Sequence, residues 1–277
     1  MSGMKPQRVL ITGCSSGVGR ATALRLAGAG HGVFAGVRRA EDAGALQAEG
    51  GGRVEVLTLD VTDAASVTAA TDAATEAGPI DVLVNNAGIP CLGSMEEIEL
   101  ADLGRAMEVN FYGALRCCQA VLPAMRRRGR GLIINISSSI GVAALPLYGG
   151  YCATKFALEA ASEALRHEVA PFGVAVRVLE PGLIATPFGD KKRAEAPDRI
   201  PAGSPYAGRL DNPSPPDLAL LISTPARVAE VLQEMIEQPG GDFRRACGED
   251  ARRWITARCR LDDAAFFSAL AEGGYAF

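Results

Sequence analysis

Histidine is scarce in this sequence, and its scarcity argues against a metal centre. The 277 residues include two histidines, His31 and His167, which are too isolated for the ligand spacing of an ordinary metal site. We therefore expect neither a structural nor a catalytic metal ion.

Paired cysteines are also missing. The seven cysteines are odd in number and include no C-x-x-C pair, and Cys117 and Cys118 are adjacent, which does not suit a regular disulfide framework. Because the first apolar run, Val9 to Ile11, comes without the longer apolar segment and cleavage site of a signal peptide, we expect a cytoplasmic protein. Cys14 and Cys152 lie beside candidate site residues, but small buried thiols are commoner than reactive ones, so we give neither a catalytic role.

Long apolar runs and basic tracts are absent as well. No apolar stretch approaches the roughly 20 residues that a helix needs to cross a bilayer, so we predict no transmembrane segment. The 28 basic and 32 acidic residues are spread along the chain and give a formal net charge of -4, which argues against nucleic-acid binding. The densest basic run, Arg126 to Arg130, is interpreted as a solvated loop before a strand rather than as a phosphate or membrane patch.

Short apolar runs separated by Ala-rich helical patterns make up most of the chain. Continuous apolar strands that alternate with helices indicate a parallel sheet covered on both faces, which is a doubly wound α/β domain of the Rossmann type. With 277 residues and 48% hydrophobic content, a single domain is the default. The predicted strands are Arg8 to Thr12, Gly32 to Val37, Val54 to Leu59, Val82 to Asn85, Leu132 to Ile136, Ala175 to Glu180, and a last one around Arg245 to Gly248.

A proline-rich stretch interrupts this pattern. Eight of the 16 prolines fall between Pro187 and Pro225. Long irregular stretches inside compact domains are usually functional covers or disordered segments, so residues 183–225 are predicted to form a substrate lid, with a surface insertion as the alternative. Thr224 is expected to cap a helix that has Pro225 at its first position. Residues 249–277 are expected to form a C-terminal helical extension that packs on the body, with a subunit contact as the alternative.

A glycine-rich turn follows the first strand directly and precedes a helix that is expected to begin near Arg20. Such a turn lets backbone N–H groups approach a pyrophosphate, and the positive end of the helix favours its negative charge. The candidate cofactor-binding residues in this turn are Gly13, Ser15, Ser16, Gly17, Val18 and Gly19.

The end of the second strand bears on the choice of dinucleotide. Arg38 and Arg39 stand about 20 residues past the turn, where a dinucleotide fold selects its ribose. No carboxylate is present there to bind a ribose 2′-hydroxyl, whereas an arginine can neutralise a 2′-phosphate. We therefore expect NADP(H) to be preferred, with Arg38 the favoured contact, Arg39 the second choice and NAD(H) an alternative cofactor. Two solvated arginines are the plainer interpretation of the same residues.

Tyr151 and Lys155 are four residues apart, which places both side chains on one face of a helix. A free tyrosine loses its proton near pH ~10, and a neighbouring ammonium is expected to stabilise the phenolate and draw the pKa of Tyr151 toward the working pH. Tyr148 has Cys152, not a lysine, at the matching offset. Tyr151 is therefore the candidate general acid and base.

Three serines, Ser137, Ser138 and Ser139, follow the strand that ends at Ile136. They are expected at the carboxyl edge of the sheet, where open α/β folds bind their ligands. A hydroxyl that donates to a carbonyl oxygen lowers the barrier to hydride addition, because negative charge gathers on that oxygen. The residues alone do not rank the three hydroxyls.

The glycine turn, Asn85-Asn86-Ala87-Gly88, Asn110, the serine run and Tyr151-x-x-x-Lys155 together resemble the short-chain dehydrogenase/reductase family, over roughly residues 7 to 190. The resemblance implies that Ser138 orients the substrate, that Tyr151 donates or accepts the proton and that Lys155 holds the nicotinamide ribose. Asn110 resembles the family asparagine that completes a proton relay through water.

The same resemblance extends the cofactor site, to which Tyr151 and Lys155 also contribute. Asn86, Ala87 and Gly88 resemble the family segment that lies along the cofactor. Asp60 and Val61 resemble the pair that contacts the adenine. Pro181, Gly182 and Thr186 resemble the family segment that binds the nicotinamide carboxamide.

Within the family, the motifs look most like those of the hydroxysteroid and retinol dehydrogenases. This similarity implies a lipophilic small-molecule carbonyl or alcohol as substrate, interconverted by hydride transfer, and a homodimer or homotetramer. A ketoacyl-thioester reductase of lipid or polyketide synthesis would keep the same residues. A non-catalytic NADP(H)-sensing protein is disfavoured because Asn110, Ser138, Tyr151 and Lys155 are all present.

Overall fold

The fold is known from a computed structural model, which describes residues 5–39, 41, 44–76, 78–185, 203–207, 222–238 and 240–270. Thr186, most of the proline-rich stretch and the chain after residue 270 lie outside these residues, so the expectations placed on them remain predictions.

Seven parallel strands form one sheet in the order β3-β2-β1-β4-β5-β6-β7. The predicted fold class is confirmed, and each predicted strand lies within one residue of its observed bounds. The strands are β1 Arg8–Ile11, β2 Gly32–Val37, β3 Val54–Thr58, β4 Val82–Asn85, β5 Gly131–Ile136, β6 Val174–Pro181 and β7 Arg244–Cys247.

Helices cover both faces of the sheet. The described α-helices are α1 Gly17–Gly28, α2 Gly44–Glu49, α3 Ala64–Glu76, α4 Leu100–Met107, α5 Gly113–Arg128, α6 Gly149–Val169, α7 Pro225–Glu237, α8 Glu249–Arg260 and α9 Asp263–Leu270. Within the described part of the chain, none of the helices combines the length and the apolar character needed to cross a membrane.

Each face of the sheet carries its own hydrophobic core, because successive side chains of a strand point to opposite faces. On β1, Val9 and Ile11 pack against α1 and α7, whereas Leu10 packs against α3 and α5. Both sets are fully or almost fully buried. This double burial explains why Val9, Leu10 and Ile11 form a continuous apolar run rather than an alternating one.

The order of the strands determines where the candidate ligand-binding site lies. Chain connections run in one direction from β1 through β3 and in the other from β4 onward, so the order reverses between β1 and β4. In open α/β sheets, ligands bind outside the carboxyl ends of the strands at such a reversal. The loops after β1, β4, β5 and β6 therefore surround the candidate site.

The basic run is solvated at Arg126, Arg127 and Arg130, as predicted, but the prediction that it forms a loop is wrong for its first three arginines. Arg126, Arg127 and Arg128 form the last turn of α5, where cations are favoured by the helix dipole, and the helix ends at Gly129 in the left-handed region. The Arg128 guanidinium pairs with Asp81 Oδ1 at 3.2 Å and donates to the Ile80 carbonyl at 2.5 Å. The run thus ties α5 to the start of β4.

Helix α7 begins as its sequence predicts. Thr224 caps α7 by accepting a hydrogen bond from the Arg227 amide, and Pro225 occupies the first helical position. In α9, Phe266 is 2% exposed and has the Arg258 guanidinium of α8 5.3 Å from its ring centroid, whereas its neighbour Phe267 is 61% exposed.

Candidate active site

The turn after β1 brings the backbone close to the start of α1. Gly13 has φ 73°, a left-handed conformation that favours glycine. A Cβ on Gly19 would lie 2.3 Å from the Gly13 carbonyl oxygen, so only a glycine lets α1 pack on the turn. The helix begins at Gly17, three residues earlier than the Arg20 of the sequence prediction, because the glycines themselves form its first turn.

The beginning of α1 fits a dinucleotide pyrophosphate. Ser16 occupies the N-cap with an extended backbone, but its side chain makes no capping hydrogen bond. The amides of Gly17, Val18 and Gly19 belong to the first helical turn, which has no intrahelical acceptor of its own. Backbone donors of this kind, at the positive end of a helix, are suited to an anionic ligand.

The predicted segment after β4 lies beside this turn. The Asn86 amide group donates to the carbonyl oxygens of Thr12 and Gly13 at 2.8 and 3.0 Å. In return, Thr12 Oγ1 accepts hydrogen bonds from the backbone amides of Asn86 and Ala87. The structure therefore holds the two loops on either side of the strand reversal as one unit.

Asn110 lies in a wide turn, a π-helical segment over Glu108–Tyr112 between α4 and α5. Its side-chain oxygen accepts from the Ile89 amide at 2.8 Å, and its amide group donates to the Ile89 carbonyl at 2.9 Å and to Thr154 Oγ1 at 3.0 Å. Asn110 thus joins the segment after Gly88 to helix α6. Thr154, which is fully buried, was missed by sequence reasoning although it lies between Tyr151 and Lys155.

The structure distinguishes the three serines that the residues alone left unranked. Ser137 and Ser139 are buried, at 3% and 7% exposure, whereas Ser138 is half-buried. The Ser138 hydroxyl is 3.4 Å from both the Pro181 carbonyl oxygen, to which it donates, and the Ile140 amide, from which it accepts. Ser138, the residue that the family resemblance selects, is thus the most exposed of the three.

Tyr151 and Lys155 lie on one face of α6, and both are buried. Lys155 Nζ donates to the Ile136 carbonyl at 2.8 Å and lies 5.6 Å from the centroid of the Tyr151 ring. Tyr148 stands outside the helix at its N-cap and is half-buried. The structure therefore pairs Lys155 with Tyr151, as the spacing predicts.

The expected lowering of the pKa of Tyr151 by Lys155 is wrong for the protein alone. Burial raises the pKa of Tyr151 above its ordinary value, and the neighbouring Cys152 raises it further. Removing a phenolate from water is costly, so burial keeps the Tyr151 hydroxyl protonated at neutral pH. The thiols of Cys14 and Cys118 are buried as well, and burial raises the pKa of both.

The two arginines after β2 differ in their surroundings. Both are exposed, but Arg39 Nε lies 3.6 Å from Glu41 Oε1, whereas Arg38 has no ion pair with a described residue. The Asp60 carboxylate accepts hydrogen bonds from the amide and hydroxyl of Thr62 at 2.9 and 2.7 Å. Val61 is buried against Gly113, where a Cβ would lie 2.7 Å from its methyl carbon.

The segment after β6 is fixed by a residue that sequence reasoning missed. Asp250, buried in the first turn of α8, accepts from the Leu183 amide at 2.6 Å. A Cβ on Gly182 would lie 2.0 Å from Asp250 Oδ2, so this approach requires the glycine. Pro181 and Gly182 are therefore held at the edge of the site, and Thr186 lies outside the described residues.

A short piece of the proline-rich stretch is described and lies against the loop after Gly93. Ser204 Oγ donates to Glu97 Oε2 at 2.8 Å, and the Tyr206 hydroxyl donates to Glu96 Oε2 at 2.6 Å. The same loop borders the start of α6, because a Cβ on Gly149 would lie 2.5 Å from Met95 Sδ. Residues 203–207 thus contact a loop that itself touches the start of α6.

The comparisons with known proteins agree with this geometry. The chain matches the family model described as short chain dehydrogenase over residues 7–197. It is 43% identical over 190 residues to 3-ketodihydrosphingosine reductase of Bacteroides thetaiotaomicron, covering 68% of each protein. It is 42% identical over 197 residues to 17-beta-hydroxysteroid dehydrogenase type 1 of Mus musculus, covering 68% of this chain and 57% of that protein.

Two further likenesses cover more of the chain. Retinol dehydrogenase 8 of Bos taurus is 34% identical over 253 residues, or 87% of this chain and 81% of that protein. The solved structure of a short chain dehydrogenase from Burkholderia cenocepacia in complex with NADP is 25% identical. Its TM-score is 0.76, and the match covers 97% of this chain and 98% of that one.

The family resemblance drawn from the motifs is thereby confirmed. The match to the family model extends from β1 past the end of β6 and includes the glycine turn and the helix that carries Tyr151 and Lys155. This chain belongs to the short-chain dehydrogenase family and, within it, is similar to hydroxysteroid and retinol dehydrogenases.

Proposed function

We propose that this protein is an NADP(H)-dependent oxidoreductase that interconverts a ketone or aldehyde with the corresponding alcohol, with Tyr151 as the general acid and base. The observation that carries the proposal is the buried Tyr151, paired with Lys155 on α6 at the carboxyl edge of the sheet, beside a helix start suited to a dinucleotide.

In the reductive direction, the Tyr151 phenol donates its proton to the carbonyl oxygen. A tyrosine phenol carries its proton at neutral pH, so the proton is present when negative charge develops on that oxygen. Ser138 supplies a second hydroxyl donor to the same oxygen. A bound nicotinamide dinucleotide would supply the hydride in reduction and accept it in oxidation.

The other candidate residues are proposed to bind and position. The amides of Gly17, Val18 and Gly19 would hold the pyrophosphate, Arg38 the 2′-phosphate and Lys155 the nicotinamide ribose. Asp60 and Val61 would border the adenine, and the segments around Asn86 and Gly182 would hold the nicotinamide end. Asn110 fixes Ile89 to α6 and so holds the wall of the site next to Tyr151.

A lipophilic ketone or alcohol is the substrate class we propose. Support comes from the names of the relatives, which include a ketosphingoid reductase, a steroid dehydrogenase and a retinol dehydrogenase. The measurement that tests the function is NADPH oxidation with a panel of ketones, aldehydes, quinones and steroids. Lack of turnover with every carbonyl, at saturating NADPH, would contradict the proposal. A homodimer or homotetramer, proposed from the family, is tested by light scattering of the purified protein.

We also propose that the stretch 183–225 covers the substrate and is held in place through Glu96 and Glu97. Replacing both carboxylates by alanine removes the two hydrogen-bond acceptors for Ser204 and Tyr206. Because hydrogen bonds to charged groups at exposed sites are worth on the order of 1 kcal/mol, we expect KM for a bulky carbonyl to rise about three- to tenfold. The Kd for NADPH should stay within about twofold.

The matched control is Glu99→Ala, an exposed carboxylate on the same loop whose side chain caps no helix. Steady-state kinetics and fluorescence titration with NADPH measure both quantities. An unchanged KM in the double variant, or an equal rise in the control, would mean that the contact with residues 203–207 does not serve substrate binding.

A further inference from the structure

Two acidic residues lie on the same face of helix α6 as Tyr151 and Lys155. Tyr151, Lys155, Glu159 and Glu163 follow at intervals of four residues, so each lies about one helical turn beyond the last. Glu159 is 4% exposed, although carboxylates are rarely buried to this extent. The proposed function gives this buried carboxylate no role.

A second buried carboxylate and a single cation complete the group. Glu180, near the end of β6, is 1% exposed. Arg244 Nε on β7 lies 3.0 Å from Glu159 Oε2 and 3.7 Å from Glu180 Oε1, and the same guanidinium binds Glu163 Oε2 at 2.6 Å. Three carboxyl groups therefore share one guanidinium.

The interior of this group is short of hydrogen bonds. Glu180 Oε1 is buried and has no hydrogen-bond partner among the described residues, whereas Glu159 has the Ser137 hydroxyl and the Arg244 guanidinium as polar partners. Gly141 borders the same space, because a Cβ there would lie 2.6 Å from Ser137 Oγ, 3.1 Å from Lys155 Cβ and 3.5 Å from Glu159 Cγ. Glu159 is therefore adjacent to the stem of Lys155, and Lys155 acts electrostatically on its carboxylate.

The charges of the group do not balance when both buried carboxyls are ionised. The charged groups that face the pair are Lys155 and Glu163 from α6 and Arg244 from β7, with the Ser137 hydroxyl as the polar neighbour at the end of β5. Burial raises the pKa of Glu159, and burial together with Glu159 raises the pKa of Glu180 to about 7.

We propose that the Glu159–Glu180 pair, clamped by Arg244, acts as a positioning group that holds Lys155 and sets the ionisation of Tyr151 in the reaction. The inference rests on the proposed function. The negative charge of the pair stabilises the Lys155 ammonium and opposes the formation of phenolate at Tyr151. Removing one charge therefore makes the phenolate easier to form.

The first test is the pH dependence of kcat/KM for alcohol oxidation with NADP⁺, since Tyr151 must lose its proton in that direction. With Glu159 two turns, or about 12 Å, along the helix from Tyr151, Glu159→Gln should lower the kinetic pKa by about half a unit to one unit. The control is Glu163→Gln, which removes a carboxylate on the same arginine but at an exposed position. It should move the kinetic pKa by less than about 0.2 units, because solvent screens its charge.

A pH profile that does not move in Glu159→Gln would overturn the inference, and so would an equal shift in Glu163→Gln. A different result would contradict the proposed function itself, namely wild-type turnover in Tyr151→Phe. If Tyr151→Phe abolishes turnover while Glu159→Gln leaves the profile unchanged, only the positioning role is lost.

The second test does not depend on turnover. The folded-state pKa of Glu180 is about 7, above its ordinary value of 4.5. Between these two values, the unfolded chain releases this proton and the folded protein keeps it, so the contribution of Glu180 to stability falls as pH rises through this window. The Tm of the wild-type protein should fall between pH 4.5 and pH 8. In Glu180→Gln, this fall should be smaller by about 2–4 °C or more. If Tm changes with pH in the same way in the wild type and in Glu180→Gln, Glu180 does not keep its proton in the folded protein.

Discussion

Tyr151→Phe is expected to lower turnover by about 10²- to 10⁴-fold, the usual contribution of a positioned general acid. The substitution removes the phenol hydroxyl and keeps the ring, which is buried against Cys91 and Ala106. Because the pyrophosphate and the 2′-phosphate are held elsewhere in the proposed site, the Kd for NADPH should change by less than about threefold. Single-turnover reduction with saturating NADPH measures the loss, and fluorescence titration measures the binding.

Tyr148→Phe is the matched control. Tyr148 is close in sequence but lies outside α6, is half-buried and has Cys152 rather than a lysine at the next turn. It should keep turnover within a few fold of the wild type. Equal losses in the two variants would show that Tyr151 is not the proton donor, since a general disturbance of the start of α6 would then explain both.

Arg38→Asp is expected to lower the preference for NADPH over NADH at least tenfold. Arg38 is exposed at the end of β2, where the ribose of the adenosine half is expected. The substitution replaces attraction for a 2′-phosphate by repulsion, and one charged hydrogen bond alone is worth roughly 1.5 to 3 kcal/mol. At about 1.4 kcal/mol per factor of ten, the change should come mainly from weaker NADPH binding.

Arg39→Asp provides the comparison, because Arg39 is already next to Glu41. Its effect on the ratio should be several-fold smaller. Steady-state kinetics with both cofactors decide the matter. A wild-type protein that prefers NADH, or an Arg38→Asp variant with the wild-type ratio, would show that Arg38 is only a solvated arginine.

The fold was predictable because its strands are buried on both faces. A strand such as β4 has all four residues buried and begins with the apolar run Val82 to Val84, which sequence reasoning locates to within a residue. The glycine turn and the Tyr151–Lys155 pair are similarly local, since each depends on residues a few positions apart. Local patterns of this kind carry their geometry in their spacing.

Contacts between distant parts of the chain were not predictable in the same way. Asp250 approaches Gly182, and Arg244 approaches Glu159 and Glu180, only because β6 and β7 are neighbours in the sheet and α8 follows β7. Nothing in the spacing of these residues indicates the contact. The prediction that Lys155 lowers the pKa of Tyr151 was wrong for a related reason. The sequence shows the nearby lysine but not how deeply the phenol is buried.

The wide turn at Glu108–Tyr112 has a consequence for the tolerance of this segment to insertions and deletions. Here the Gly113 amide bonds to the Glu108 carbonyl, five residues back, so α4 and α5 together contain one residue more than a regular helix of the same height would. Their angular phases differ by about 100°, the rotation contributed by one residue. Deleting one residue between 108 and 112 would restore a regular helix and leave α5 packed as before, yet it would turn the amide of Asn110 away from Ile89 and Thr154. Alignments of related chains should therefore place single-residue gaps outside this segment.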